Sequence, residues 1–129
     1  MIVLYDGDCG LCRVCIALLL RWDRRGRLEP VALQSRRADR LLAGMEEATR
    51  MGSAHLVLAD GRVLSGAAAA LELLDALPGG RALGAVTRRM PRLTDRLYRA
   101  VAGNRTRLGP LIPPRVRVWA GGELRRRSS

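Results

Sequence analysis

The sequence predicts an α/β domain: a central mixed four-stranded sheet flanked by helices, with additional helices toward the C-terminus. Three observations lead there. The apolar run Ile2–Tyr5 stops at Asp6-Gly7 and passes at once into a helical pattern. Strand-like and helix-like segments then alternate, which calls for a sheet covered by helices. Finally, Asp60-Gly61 joins two short apolar runs, a strong hairpin signal that brings antiparallel pairing into the same sheet.

Taken in order, Ile2–Tyr5 reads as a buried strand because it is continuously apolar. A helix follows over 9–24, with Leu11, Cys15, Leu18 and Trp22 on one face and Cys12, Ile16 and Leu19 on the next. Gly26 ends it. Residues 28–33 form a second strand whose Pro30 cannot donate to a ladder, so this strand belongs at an edge. Ser35 caps a helix predicted over 36–50, with Ala38, Leu41, Leu42 and Met45 inward. Strands over 54–59 and 62–65 form the hairpin, with a type I′ turn expected at Asp60-Gly61. A helix over 66–77 stops at Pro78-Gly79-Gly80, and two more, over 81–90 and 92–102, flank Pro91. Beyond Gly103 the prolines, glycines and Arg125-Arg126-Arg127 read as extended chain. The expected domain covers residues 1–112, and residues 113–129 form a basic, flexible tail.

The chain has 129 residues, 48% of them hydrophobic, which suffices for one core. Its net charge is +11, and all 23 basic residues are arginine. That excess favours anionic partners. With two Trp, two Tyr and no Phe, however, the stacking platforms of a dedicated nucleic-acid binder are missing, and none is expected. The opening lacks the basic start and cleavage site of a secretory signal, and the apolar run Val14 to Leu20 is far short of the roughly 20 residues that span a bilayer. The expected location is the cytoplasm, where thiols stay reduced. There Cys9-Gly10-Leu11-Cys12 is a reactive or metal-binding pair rather than a staple, and three cysteines make an awkward disulfide framework.

Strand, helix, strand, helix, hairpin, helix is the order of a thioredoxin-like domain. Asp6-Gly7-Asp8-Cys9-Gly10-Leu11-Cys12, Val31-Ala32-Leu33-Gln34-Ser35, Asp60-Gly61-Arg62-Val63 with Gly66 and Ala69, Tyr98-Arg99 and Asn104-Arg105 together resemble the DCC family of predicted thiol-disulfide oxidoreductases over roughly residues 1–112. The resemblance implies thiol-disulfide exchange through an Asp-x-x-Cys-x-x-Cys motif on Asp6, Cys9 and Cys12, without a cofactor. For such exchange the expected substrates are protein or low-molecular-weight thiols and disulfides such as glutathione, which the arginines would steer to the site.

The residues themselves suggest how. At the helix N-terminus, Cys9 meets unpaired N–H groups that favour a thiolate, so it is the expected nucleophile and Cys12 the resolving thiol. Inside a regular helix, residues three apart hold their β-carbons about 5–6 Å apart, whereas a disulfide needs about 3.5–4.5 Å. Only Cys9, at the helix end, escapes that limit. Cys15 is expected as buried apolar filler. Asp6 is either a proton acceptor for the resolving thiol or a turn former, and Asp8 is expected to cap the helix. Arg13 lies one turn from Cys9 and can steer anionic substrates. Ser53 and His55, in the segment expected opposite the motif, are candidate substrate contacts. That segment has no proline, unlike the thioredoxins with their cis-proline, which leaves room for a Cys9, Cys12, Cys15, His55 zinc set. A further alternative is a non-enzymatic binding module that uses the basic C-terminal half to hold a protein partner or an acidic surface.

Overall fold

The structure is a computed structural model that describes residues 1–128. The chain runs β1 (Ile2–Tyr5), α1 (Gly10–Trp22), β2 (Glu29–Ala32), α2 (Arg36–Leu41), α3 (Glu47–Gly52), β3 (His55–Val57), β4 (Val63–Ser65), α4 (Gly66–Ala76), α5 (Gly80–Arg89), α6 (Pro91–Leu108), a 3-10 turn (Gly109–Leu111) and α7 (Pro114–Ser128). The four strands lie in the order β2-β1-β3-β4. β1 pairs parallel to β2 and antiparallel to β3, which continues antiparallel into β4. This mixed sheet with its helices is consistent with the thioredoxin-like fold.

β1 is central because both of its faces are apolar. Val3 and Tyr5 enter one core with Ile16, Leu20, Leu56, Leu73 and Leu77, while Leu4 enters a second with Val31, Leu33, Ala38, Leu42 and Val57. Burying a side chain such as Leu4 or Leu56 contributes about 1.5–3 kcal/mol. Pro30 sits opposite Val3 in β2, which is an edge strand as its missing N–H requires. Ser35 caps α2, its side chain accepting the Ala38 N–H at 3.2 Å.

Three expectations need correction. The helix predicted over 36–50 is two helices, because Gly44 turns left-handed at φ +86 and α3 starts only at Glu47. The hairpin is present, but its turn is not type I′. Among the described residues no non-glycine has positive φ; Leu58 accepts the Gly61 N–H at 3.0 Å, and Gly61 alone is left-handed at φ +89. This is a type I turn closed by a glycine bulge, a three-residue loop that needs only one positive φ.

The third correction concerns the expected tail. Residues 114–128 form α7, which packs along α1 with Ala120 and Leu124 buried. Asp23, at the C-cap of α1, is 1% exposed and accepts the N–H groups of Arg27 at 3.1 Å and Leu28 at 2.8 Å. Arg127 completes it, pairing with Asp23 Oδ2 at 3.2 Å and donating to the carbonyls of Leu20 and Asp23. A buried carboxylate demands such a partner. What reads as a solvated basic run thus contains the anchor of the last helix.

This packing makes three stability predictions. Arg127→Ala leaves Asp23 buried with two backbone donors, so it should cost about 2 kcal/mol in urea unfolding, below the roughly 3–5 kcal/mol of a fully buried pair because Arg127 is partly exposed. Gly80 has no room for a side chain, since a Cβ there would lie 1.9 Å from the Leu74 carbonyl oxygen, so Gly80→Ala should cost about 3 kcal/mol. Gly103→Ala, mid-helix in α6 with open space around it, should instead raise stability by up to about 1 kcal/mol.

Candidate functional site

β1 delivers the motif to the C-terminal end of a central strand, and the β1–α1 turn then aims it. Asp6 holds this turn: its Oδ1 accepts the Asp8 N–H at 3.0 Å, and its carbonyl accepts the Cys9 N–H at 3.2 Å. Gln34, just beyond β2, locks the same turn from the side. Its Nε2 donates to Asp6 Oδ1 at 2.7 Å and to Asp8 Oδ2 at 3.4 Å, and its Oε1 accepts the Gly7 N–H at 2.9 Å.

The N-cap of α1 is Cys9, not Asp8. Cys9 takes extended backbone angles, φ −92 and ψ 113, and its Sγ accepts the Cys12 N–H at 3.3 Å. Asp8 falls one position too early to reach the first-turn donors, so a sulfur occupies the place usually held by oxygen. Negative charge on that sulfur would meet both an N–H donor and the positive end of the helix dipole.

Cys12 is half-buried, and its pKa is pushed up to about 12, first by burial, then by a hydrogen bond to Cys9 and by the charge of Cys9, with Arg105 opposing. Cys15 corrects the expectation of a buried filler, because it is exposed. It borders an apolar groove of about 130 Å³ together with Leu11, Cys12, Ser53, Tyr98 and Val101. Protein atoms around the thiol, and then the charge of Cys9, still push its pKa up.

On the other side of the motif, Cys9 faces a polar cleft of about 440 Å³. Its walls include Asp6, Asp8, Arg13 of α1, Arg105 of α6 and Arg117 of α7. Arg105 donates to the Met51 carbonyl and Arg117 to the Gly109 carbonyl, both at 2.6 Å. Of the expected substrate contacts, Arg13 lines this cleft and Ser53 the apolar groove. The sequence does not mark Arg105, Arg117 or Gln34 as site residues: Arg117 falls in the expected tail, and nothing local to Gln34 shows that it returns to the turn.

His55 lies apart from the cysteines. It is fully buried in β3, its Nδ1 2.6 Å from Ser65 Oγ and its Nε2 2.8 Å from the Arg50 carbonyl oxygen. A carbonyl only accepts, so Nε2 donates to Arg50, while Nδ1 shares its hydrogen bond with a Ser65 hydroxyl that can serve either role. Both nitrogens are thus engaged in the core, and the Cys9, Cys12, Cys15, His55 set does not assemble. Among the described residues no group of three or more His, Cys, Asp or Glu is placed to hold a metal ion.

No curated protein and no solved structure matches the chain. A family model does, described as DCC1-like thiol-disulfide oxidoreductase and matching residues 3–110. With the thiol pair at the start of α1, in a thioredoxin-like sheet, and most of its length covered by that model, the chain belongs to the DCC1-like thiol-disulfide oxidoreductase family.

Proposed function

We propose that the protein is a thiol-disulfide oxidoreductase in which Cys9 and Cys12 cycle between dithiol and disulfide, working in the cytoplasm. The observation that carries this reading is the Cys9 sulfur acting as N-cap of α1, 3.3 Å from the Cys12 N–H and open to the cleft. The Cys9 thiolate attacks a substrate disulfide R–S–S–R′, forming Cys9–S–S–R and releasing R′–S⁻. The Cys12 thiolate then attacks the Cys9 sulfur, closing the Cys9–Cys12 disulfide and releasing R–S⁻. Two electrons pass from the protein to the substrate, and an external dithiol resets the pair.

The raised pKa of Cys12 supports this order of events. Two of its causes, the hydrogen bond to Cys9 and the Cys9 charge, belong to the reduced pair. Once Cys9 is tied up in the mixed disulfide both vanish, and burial, with a smaller push from the charge of Asp6, is what still holds the Cys12 proton against Arg105. The resolving thiol is thereby kept protonated until it is needed. Asp6 borders both cavities, within reach of the motif, and fits a proton acceptor for Cys12 as well as a turn former. Asp8, Arg13 and Ser53 line the approaches and would contact substrate.

One surface favours a second reading, the non-enzymatic binding module. On α5 and α6, Leu83, Val86, Met90, Leu93, Leu97 and Val101 are exposed beside eight arginines, from Arg81 to Arg107, and a single acid, Asp95. Such a face suits a protein partner or an acidic surface. Among the described residues no helix is long and apolar enough to cross a membrane.

The cysteines separate the two readings. Cys9→Ser should abolish disulfide exchange, whereas Cys12→Ser should accumulate a mixed disulfide on Cys9, visible by mass spectrometry of the non-reduced protein; equal activity in both variants would sink the enzyme reading. A second test follows from the sign of the Cys12 shift. In the mixed disulfide, where both Cys9 causes are gone, burial and the charge of Asp6 still hold the Cys12 thiol above its ordinary range, so only a small thiolate fraction exists near neutrality, and that fraction grows with pH. The rate of resolution, followed by release of the second thiol in stopped flow, should therefore rise about tenfold per pH unit between roughly pH 6 and 8. A flat profile would show that ionisation of Cys12 does not limit the step.

A further inference from the structure

The cleft facing Cys9 collects three cations from three separate helices. Arg13 comes from α1, Arg105 from α6 and Arg117 from α7. The helices cross closely here. A Cβ on Gly121 of α7 would lie 3.0 Å from Arg13 Nη2, and one on Gly10 of α1 would lie 3.9 Å from Arg117 Nε. Arg105 and Arg117 are positioned by single bonds to backbone carbonyls, which leave other guanidinium donors uncommitted. Among the described residues, none of the three has a carboxylate within ion-pair distance, whereas Arg37, Arg62, Arg88 and Arg99 elsewhere do. The two carboxylates of the cleft, Asp6 and Asp8, are each engaged by Gln34.

Three guanidiniums without an ion-pair partner outnumber the two carboxylates of the cleft, so it favours an anionic substrate over a neutral one and a neutral one over a cation. Guanidiniums suit planar, bidentate anions, and the carboxylate is the commonest of these. The volume of about 440 Å³ fits a small molecule, within the roughly 300–1,000 Å³ of ligand pockets.

Building on the oxidoreductase reading, we infer that this cleft is the recognition site for a small, carboxylate-bearing disulfide, whose carboxylates sit on Arg13, Arg105 and Arg117 while one of its sulfurs meets Cys9. Exchange then follows the two steps already given, R being the acidic half of the molecule. Selectivity comes from the arginines and chemistry from the cysteines, so the two can be measured separately.

The experiment follows reduction of three disulfides by the reduced full-length protein under single-turnover conditions: oxidised glutathione, which is anionic, hydroxyethyl disulfide, which is neutral, and cystamine, which is cationic. The expected order is glutathione, then hydroxyethyl disulfide, then cystamine, with the glutathione preference shrinking as salt is raised. Arg117→Gln and Arg13→Gln should each lower the glutathione-to-hydroxyethyl rate ratio by about tenfold. Because Arg117 also bonds the Gly109 carbonyl, a melting curve accompanies each variant, and Arg13→Gln decides if Arg117→Gln unfolds. Equal rates for all three disulfides, or an unchanged ratio in a folded variant, would overturn the cleft assignment and leave the oxidoreductase reading intact. No reduction of any disulfide, or reduction that survives Cys9→Ser, would overturn the oxidoreductase reading itself and this site with it.

Discussion

The buried carboxylate of Asp23 is the constraint on which the rest of the fold depends. It closes the C-terminal end of α1 by taking the N–H groups of the returning chain at Arg27 and Leu28, so β2 enters the sheet beside β1. It also draws in Arg127 from the far end of the chain, more than a hundred residues away. A charge that is 1% exposed is tolerable only when both demands are met. Because Arg127 is held, α7 lies along α1, and Arg117 and Ala120 stand as a wall of the Cys9 cleft. The site at one end of α1 is therefore shaped by a polar lock at the other.

Around the cysteines, the helix separates two environments. Its N-terminal sulfur looks into a polar, arginine-walled cleft, while one turn later Cys12 and Cys15 border an apolar groove beneath Tyr98 and Val101. The spacing of the motif produces this division. Three residues carry the chain through about 300° of a 3.6-residue turn, enough to move a side chain from one wall to the next while keeping both sulfurs near the helix start. On the groove side, burial drives the pKa of Cys12 upward.

Much of this was legible in the chain. β1, the edge position of β2, the Ser35 cap and the hairpin at Asp60-Gly61 each rest on a local rule, and local rules survive folding. So did the placement of Cys9 at the helix start. The errors came where a distant group decided the outcome. Arg127 reads as one more solvated cation until Asp23 is known to be buried beside it. Gln34 gives no hint that it returns to the Asp6 turn. Cys15 fits an apolar stripe by periodicity, yet it lies exposed beside the groove that α6 borders. The single helix expected over 36–50 failed for a smaller reason: its apolar pattern continues through Gly44, while the backbone does not.

The absence of lysine has a consequence at the cleft. A lysine ammonium loses its charge not far above the range in which thiols ionise, whereas a guanidinium does not deprotonate in proteins. The cations that line the Cys9 cleft, Arg13, Arg105 and Arg117, are all guanidiniums. Acid–base behaviour measured in alkali therefore includes no lysine ammonium, because the chain has none.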